Sequence, residues 1–229
     1  MDTWSDLGNW WRGELEGDSA YHDVVAPLLL EALVAQAGTR YLDLGCGEGR
    51  VMRELQARGV DVVGCDLNHD LLSAAADPGP VVQCRLPDLG WARAMSFGGA
   101  YASLVFEHLV DLRRVFEEVA RVMRRGGVFA AVMNHPFYTA PQSGPIVDPT
   151  DGELFWRWGD YLSGGTTSEP AGEATVAFSH RSLSKLLNTA ADAGWILERM
   201  IERAVVGDDP LLAPQSEIPR LLAVRWRKP

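Results

Sequence analysis

The stretch Arg40–Arg50 constrains the fold more than any other part of the sequence. A run of residues typical of a buried strand ends in Asp43-Leu44, and three glycines alternate over residues 45–49. A helical pattern begins at Glu48. Because glycine lacks a Cβ atom, such a loop can turn sharply and let another molecule approach its backbone closely. The stretch therefore predicts a strand, a tight loop and a helix in direct succession.

The residues downstream repeat this alternation of strand and helix. The apolar runs predict further strands over 60–65, 81–84, 100–106 and 128–133, and helices over 70–76, 111–124 and 182–193. Strands that alternate with helices form a parallel sheet with right-handed crossovers. Residues 195–203 and 218–227 read as two strands without a helix between them, which predicts an antiparallel pair. We therefore predict an open, doubly wound α/β sheet, whose ligand lies beyond the carboxyl ends of its strands.

We expect a single domain over residues 1–229, because one core commonly serves a chain of this length. Residues 1–37 form a tryptophan-rich segment and a helix. We interpret them as an N-terminal helical flap over a ligand, or equally as a helix docked on the core. Residues 135–178 are rich in proline, glycine and aromatic residues. Loops this long are usually functional, so we predict an irregular insertion that covers the substrate side; an appendage packed on the sheet edge is the alternative.

The charge and composition of the chain limit its possible partners. The formal net charge of -10 disfavours nucleic acid, which requires a basic surface. The sequence has no apolar run of membrane-spanning length and no signal-peptide pattern, so we expect no membrane partner. Three cysteines without metal-type spacing indicate reduced thiols and a cytoplasmic location. The oligomeric state stays open.

Three ligands are candidates for the glycine loop: a dinucleotide, a nucleotide phosphate on a P-loop, and S-adenosylmethionine. A dinucleotide fingerprint requires a third glycine where Arg50 stands, and a phosphate-binding P-loop requires a Gly-Lys-Ser/Thr sequence, which is absent. Asp43 and Glu48 flank the loop and would repel a pyrophosphate, whereas they tolerate the cationic S-adenosylmethionine. Asp66, at the end of the second strand, can accept hydrogen bonds from both hydroxyls of an adenosine ribose. That diol belongs to NAD as well, so Asp66 does not separate the two cofactors.

At this point the sequence resembles a known family. Tyr41–Arg50, followed by Val62–Asp66, looks like the first two motifs of the class I S-adenosylmethionine-dependent methyltransferases. Phe116–Gly127 is similar to that family's helix and Gly-Gly turn before strand five. The resemblance is good over roughly 22–135 and looser over 179–228, and the small-molecule branch is nearest. It implies a mostly parallel, seven-stranded, Rossmann-like sheet with an antiparallel last strand, and S-adenosyl-L-methionine as cofactor.

The resemblance also implies roles for individual residues. Asp43 would anchor the loop and the amino-acid end of the cofactor, Asp66 would hold the ribose, and Phe106 would lie near the methionine portion. Arg85 stands where the family often has an acid, and Gly98-Gly99-Ala100 replaces the usual Phe-Asp pair. The complete set of expected cofactor-binding residues is Asp43, Gly45, Cys46, Gly47, Asp66, Leu67, Arg85, Leu86 and Phe106.

Two histidines follow predicted strands and are candidates for a catalytic base. They are His108, after strand four, and His135, after strand five. An imidazole at either place could take a proton from an acceptor near neutral pH. We rank His135 first because it begins the aromatic insertion, although a structural role is also open for each. Aromatic residues are the expected substrate-binding set, namely Trp11, Tyr138, Trp156 and Tyr161. No acidic pair suggests a metal site.

We therefore expect a methyltransferase that acts on a small-molecule acceptor, by O- or N-methylation, with a place in secondary metabolism. The first alternative is an NAD-dependent oxidoreductase, which the position of Arg50 disfavours. The others are a binding protein without turnover and an enzyme that uses the same donor differently, for example in a cyclisation.

Overall fold

The computed structural model describes residues 7, 8, 10 and 13, 21–75, 79–171, 174–205 and 216–229. The strands are β1 Arg40–Leu44, β2 Asp61–Asp66, β3 Val81–Gln83, β4 Phe97–Ser103, β5 Met123–Asn134, β6 Gly144–Val147, β7 Leu154–Arg157, β8 Gly165–Ala171, β9 Ala174–His180, β10 Ile196–Arg203 and β11 Leu221–Arg227. The α-helices are α1 Ala26–Leu33, α2 Arg50–Gln56, α3 His69–Ala75, α4 Leu112–Val122 and α5 Leu183–Asp192.

Seven strands form the main sheet, in the order β10-β11-β5-β4-β1-β2-β3. β1 runs parallel to β2 and β4, β2 to β3, and β4 to β5, whereas β11 is antiparallel to both of its neighbours. The predicted doubly wound sheet with an antiparallel last strand is therefore confirmed. The chain builds outward from β1 in one direction and from β4 in the other, so the switch point lies between these two strands. Ligands of such sheets bind in the crevice at this point.

The core consists of two apolar layers, one on each face of the sheet. β1 contributes to both layers, because successive residues of a strand point to opposite faces of the sheet. Leu42 and Leu44 face the layer of α4 and α5, and Tyr41 faces the layer of α1 and α2. The first layer is rich in aromatic side chains, including Phe116, Phe129 and Trp226. Both faces of the central strands are thereby buried, which fixes the positions of the loops at their ends.

β4 begins and ends three residues earlier than predicted. The sequence suggested a turn at Gly98-Gly99, but both glycines lie inside the strand. A Cβ atom at Gly99 would lie 2.0 Å from the Tyr41 ring, so glycine is needed here for packing on β1. As a consequence, Phe106 lies beyond the strand, in a short 3-10 turn over Phe106–His108.

The insertion after β5 is more regular than its composition predicts. It contains two antiparallel hairpins, β6–β7 and β8–β9, each apart from the main sheet. Pro145 is accommodated in β6 because both strands of a two-stranded hairpin are edges, where a missing N–H group costs little. The second hairpin continues to His180, two residues beyond the predicted end. Among the residues that the structure describes, no helix combines the length and the apolar character that crossing a bilayer requires.

Candidate active site

A cavity of about 380 Å³ lies at the carboxyl ends of β1 to β4, at the switch point of the sheet. Its wall is built from four loops. Gly45 and Gly47 follow β1, residues from 66–71 follow β2, 84–87 follow β3, and 103–111 follow β4. The volume is within the usual range of small-molecule sites. The wall is mostly apolar with a few polar groups, which is also typical of such sites.

The glycine loop is held in a conformation that other residues rarely adopt. Gly45, Gly47 and Gly49 have φ angles of 72°, 53° and 78°. The N–H groups of Gly45 and Cys46 both donate to the Cys65 carbonyl, at 2.8 and 3.0 Å, which ties the loop to β2. A Cβ atom at Gly45 would come within 2.5 Å of Val105 Cγ2, whereas one at Gly47 would meet nothing within 4 Å. Bare backbone is therefore required at Gly45 by packing, and at Gly47 it faces the cavity.

Asp66 joins this loop to the cavity wall after β2. Its Oδ2 accepts a hydrogen bond from the Gly47 N–H at 2.9 Å, and its Oδ1 accepts one from the Asn68 N–H at 2.8 Å. Burial raises the pKa of Asp66, and these backbone hydrogen bonds oppose the rise. Each carboxylate oxygen has a further lone pair, so Asp66 can also accept from the two hydroxyls of a ribose.

Two of the expected cofactor residues lie behind the cavity rather than in its wall. Asp43 is buried in β1, where desolvation raises its pKa to about 8; Tyr101 opposes this and Asp66 adds to it. The Cys46 side chain packs in the layer of Val51 and Met52, and burial raises the pKa of its thiol. Neither side chain lines the cavity, so the cofactor-binding roles of Asp43 and Cys46 stay predictions.

The remaining cofactor expectations divide into two groups. Leu67, Arg85 and Leu86 line the same cavity as Asp66, as expected of cofactor-binding residues. Phe106 does not line it, which corrects the expectation for this residue. Its ring is buried in the core, with ring centroids 5.7 Å from Phe116 and 5.8 Å from Phe129. The error follows from the late predicted end of β4.

Sequence reasoning missed the segment that takes the place of Phe106. Leu104, Val105, Leu109, Val110 and Asp111 all line the cavity. The chain turns sharply at Leu104, whose φ angle of 54° is unusual for a residue with a side chain. No pattern in the sequence marks this turn, since Leu has no preference for such a conformation.

His108 faces the cavity from the same segment. Its Nδ1 atom lies 3.2 Å from the Ala177 carbonyl oxygen of β9, and its ring centroid lies 4.8 Å from that of Phe178. A carbonyl oxygen only accepts, so Nδ1 carries the proton in this contact and Nε2 is unprotonated in the neutral ring. Burial lowers the pKa of His108, while Glu107 and the Ala177 contact raise it. A neutral imidazole at the cavity can act as a base.

His135 is in a different position, which reverses the predicted ranking of the two histidines. Its Nδ1 accepts from the Phe137 N–H at 3.0 Å, and its Nε2 lies 2.9 Å from Glu202 Oε1. Both ring nitrogens are thus engaged, one by the loop that follows β5 and the other by Glu202 of β10, and His135 does not line the cavity. Burial lowers the pKa of His135, and Glu202 opposes this. The arrangement fits the structural role that the sequence left open.

The expected substrate-binding aromatics also lie away from the cavity. Tyr138 packs on Trp156 with ring centroids 4.9 Å apart and accepts a 2.7 Å hydrogen bond from Arg220. The Tyr161 hydroxyl accepts from the Leu183 N–H at 3.0 Å, at the start of α5. Tyr138, Trp156 and Tyr161 therefore do not line the cavity, and their substrate-binding role stays a prediction; Trp11 lies outside the described residues. The part of the insertion that contacts the cavity wall is β9, whose alternating pattern sequence reasoning did not use.

A few residues near the N-terminus lie beside the same cavity. Leu7 is buried against Val176 of β9, and Trp10 packs with the same cluster. A Cβ atom at Gly8 would lie 2.7 Å from the Asn68 side chain, next to Asp66. These contacts favour the flap interpretation of the N-terminal segment, which stays a prediction.

Over the described ranges, no three His, Cys, Asp or Glu side chains are grouped so that they could hold a metal ion. The groups that the cavity does offer suit an adenosyl ligand. Backbone at Gly45 and Gly47 allows close approach, Asp66 suits a ribose diol, and the wall near Leu67 and Leu86 is apolar. That the protein uses no metal ion stays a prediction.

Comparison with known proteins agrees with this site. The family model described as a methyltransferase domain matches residues 42–131, which include the glycine loop, Asp66 and His108. An S-adenosylmethionine-dependent methyltransferase from Mesorhizobium loti, known from a crystal structure, is 30% identical in sequence to this chain. It covers 90% of this chain and 99% of its own, with a TM-score of 0.79. The chain therefore belongs to the S-adenosylmethionine-dependent methyltransferases, and S-adenosyl-L-methionine is its cofactor.

Two curated relatives carry more particular names. A ubiquinone biosynthesis O-methyltransferase from Hahella chejuensis is 31% identical over 149 residues, which are 59% of this chain and 62% of the relative. A malonyl-[acyl-carrier protein] O-methyltransferase from Salmonella typhimurium is 35% identical over 107 residues, which are 46% of this chain and 43% of the relative. The chain thus spans about half the length of these curated relatives.

Proposed function

We propose that this chain transfers a methyl group from S-adenosyl-L-methionine to an oxygen or nitrogen atom of a small-molecule acceptor, with His108 as the base. One observation carries the proposal. Gly45, Gly47, Asp66 and His108 all line the same cavity. A donor held by the glycine loop and an acceptor held near His108 would therefore meet within it.

The cofactor's share of the site is assigned from the wall residues. Gly45 and Gly47 offer bare backbone, and Asp66 offers two oxygen acceptors to a ribose. Leu67 and Leu86 supply an apolar surface for a base, with Arg85 at its edge. When bound, the cofactor supplies a methyl group already activated by its sulfonium, so alignment alone provides much of the catalysis.

The acceptor's share follows from His108. His108 lines the cavity, and with the proton on Nδ1 against Ala177 its Nε2 is the basic nitrogen; it would take a proton from an acidic hydroxyl or amine as the oxygen or nitrogen atom of that group is methylated. Two relatives are named O-methyltransferases, which supports oxygen as the acceptor atom. The cavity's size and the net charge of -10 support a small molecule over nucleic acid. Secondary metabolism and a cytoplasmic location remain parts of this proposal.

Cofactor binding is tested by calorimetry with S-adenosylhomocysteine. We expect Asp66→Ala to weaken binding by about tenfold or more, because the ribose loses its acceptors and the Gly47 N–H loses its partner. Asp61→Ala is the matched control, since Asp61 lies at the other end of the same strand and pairs with Arg40 at the surface. Equal affinities for the two variants would contradict the assignment of Asp66.

Methyl transfer is tested with isotopically labelled donor and a panel of small-molecule acceptors, analysed by mass spectrometry. We expect label in a hydroxyl-bearing or amine-bearing small molecule. Label found only in protein or nucleic acid would overturn the proposal, and so would a product formed from the donor without any acceptor. NAD is the negative control: S-adenosylhomocysteine should raise the melting temperature and NAD should not.

A further inference from the structure

Arg181 makes a set of contacts that the proposed mechanism has not used. It follows β9, and its guanidinium donates to four backbone carbonyls. Nη1 donates to Phe106 at 3.2 Å and to Ser179 at 3.1 Å, and Nη2 donates to Val110 at 2.8 Å and to Leu109. Three of these carbonyls lie in the segment 106–110, which surrounds His108 in sequence. One side chain therefore connects the end of β9 to the cavity wall on both sides of the histidine.

The contact that orients His108 joins the same two segments. His108 belongs to the wall segment, and its partner Ala177 belongs to β9, four residues before Arg181. If the two segments move relative to each other, the 3.2 Å contact between Nδ1 and the Ala177 oxygen is lost. The guanidinium contacts hold these segments at a fixed separation.

The charge of Arg181 is balanced inside the protein. Burial lowers the pKa of Arg181, and the nearby carboxylates of Glu107 and Asp111 oppose this. Glu107 Oε1 accepts from Asn134, whereas Glu107 Oε2 is buried and has no hydrogen-bond partner among the described residues. Glu107 and Arg181 both line a small space of about 30 Å³. Arg181 is therefore suited to this place by its charge as well as by its planar set of donors.

We propose that Arg181 is a positioning residue that fixes the orientation and the Nδ1–H tautomer of His108, by holding β9 against the wall segment 106–110. The inference rests on the proposed function for its catalytic meaning, because the tautomer matters to catalysis only if His108 is the base. A histidine held in the wrong tautomer presents an N–H group instead of an acceptor to the substrate.

The charged groups around His108 define what each variant changes. Glu107 precedes it in the chain, Asp66, Arg85 and Asp111 line the same cavity, and Arg181 lies behind the wall segment. Arg181→Lys keeps the positive charge but has no planar fork with which to reach four carbonyls. Arg181→Met removes the charge as well, so the unopposed carboxylates should raise the pKa of His108. Comparing Arg181→Lys with Arg181→Met separates the effect of the lost carbonyl contacts from the effect of the lost charge.

The test is nuclear magnetic resonance of the protein with ¹⁵N-labelled histidine, titrated with pH. In the wild type, we expect the neutral His108 ring to be the Nδ1–H tautomer. In Arg181→Lys, both tautomers should appear with little change in the pKa of His108, and in Arg181→Met the pKa should also rise. Arg93→Lys, a change at an exposed arginine, is the control and should leave the ring signals unchanged.

Kinetics supply a second readout. Arg181→Lys should lower kcat by about tenfold or more through the misoriented base, while the KM for the cofactor changes by less than about threefold, because the glycine loop and Asp66 are untouched. An unchanged tautomer in a folded Arg181→Lys protein would overturn the inference. So would a wild-type ring that is mainly the Nε2–H tautomer, a result that needs no variant.

The same data distinguish failure of the proposed function from failure of this inference. If His108→Gln transfers methyl groups at the wild-type rate, His108 is not the base and the proposed mechanism fails. The tautomer shift in Arg181→Lys would in that case still show that Arg181 positions the ring. The reverse result, a slow His108→Gln with an unchanged ring in Arg181→Lys, would remove only the role of Arg181.

Discussion

The ends of β4 and β5 each carry a histidine, and the two regions are used differently. His108 lies in the wall of the cavity, with Nδ1 against the Ala177 carbonyl of β9. His135 has both nitrogens engaged, by the Phe137 N–H and by Glu202, and lies outside that wall. A place at the carboxyl end of a strand thus identifies candidates for chemistry. The position of each ring relative to the cavity is what favours His108 over His135 as the proposed base.

The largest expected effect sets these two histidines directly against each other. His108→Gln should slow methyl transfer by about 10² to 10⁴-fold, the usual contribution of a general base. His135→Gln should stay within about threefold of the wild type, because a ring outside the cavity contributes nothing to that step. The measurement is kcat with labelled donor, on protein shown to be folded by circular dichroism. Equal losses in both variants would break the comparison.

The next effect concerns the glycine loop opposite His108. Gly45→Ala should weaken S-adenosylhomocysteine binding by more than about tenfold, because a strained φ costs roughly 1–3 kcal/mol and the methyl group also collides with Val105. Gly47→Ala bears similar strain and places a methyl group where the backbone faces the cavity, so it should also weaken binding; because that methyl group meets no protein atom within 4 Å, the fold should be destabilised less than in Gly45→Ala. Calorimetry measures binding in both variants and urea denaturation their stability, and a Gly47→Ala protein less stable than Gly45→Ala would contradict this order.

A smaller effect is expected on the stability of the β5 and β10 region. His135→Leu leaves the partly buried Phe137 N–H without its acceptor, which should lower the free energy of unfolding by about 1 kcal/mol. His69→Gln is the control: that side chain is 75% exposed, and its change should stay within about 0.5 kcal/mol. Urea denaturation measures both. A His135→Leu protein as stable as the control would show that the buried ring contributes no net stability.

The smallest effect is a change in how stability depends on pH. Burial lowers the pKa of His135 and of His108 below the ordinary value of 6.5. The unfolded chain therefore binds more protons than the folded one below about pH 6.5, and stability is lost as the pH falls through this window. His135→Gln should flatten that loss. Denaturation midpoints at pH 7.5, 6.5 and 5.5 provide the test, and a steeper loss in the variant would contradict the assigned direction.

The sequence predicted the sheet well because its signals are local. Each apolar run and each glycine in 45–49 indicates the conformation of its own segment. The location of Asp66 follows from its position at the end of β2. The contacts of His108 with β9, of His135 with β10 and of Tyr138 with Arg220 join residues that are 67 to 82 positions apart. Nothing local in the sequence reports which of these pairs meet. Phe106 shows that an error of three residues in the predicted end of a strand is enough to assign a core residue to the cavity.

The outermost strand of the main sheet has a further consequence for how the protein behaves in concentrated solution. Among the residues that the structure describes, β10 pairs with β11 alone, so its other side presents backbone N–H and C=O groups that could recruit another polypeptide. Charged side chains occupy four of its positions, Glu198, Arg199, Glu202 and Arg203, and its register shifts between Leu197 and Arg199. Charges and irregularities of this kind discourage edge-to-edge aggregation. The opposite margin, β3, is only three residues long, so neither border of the sheet offers a long, regular template for another strand.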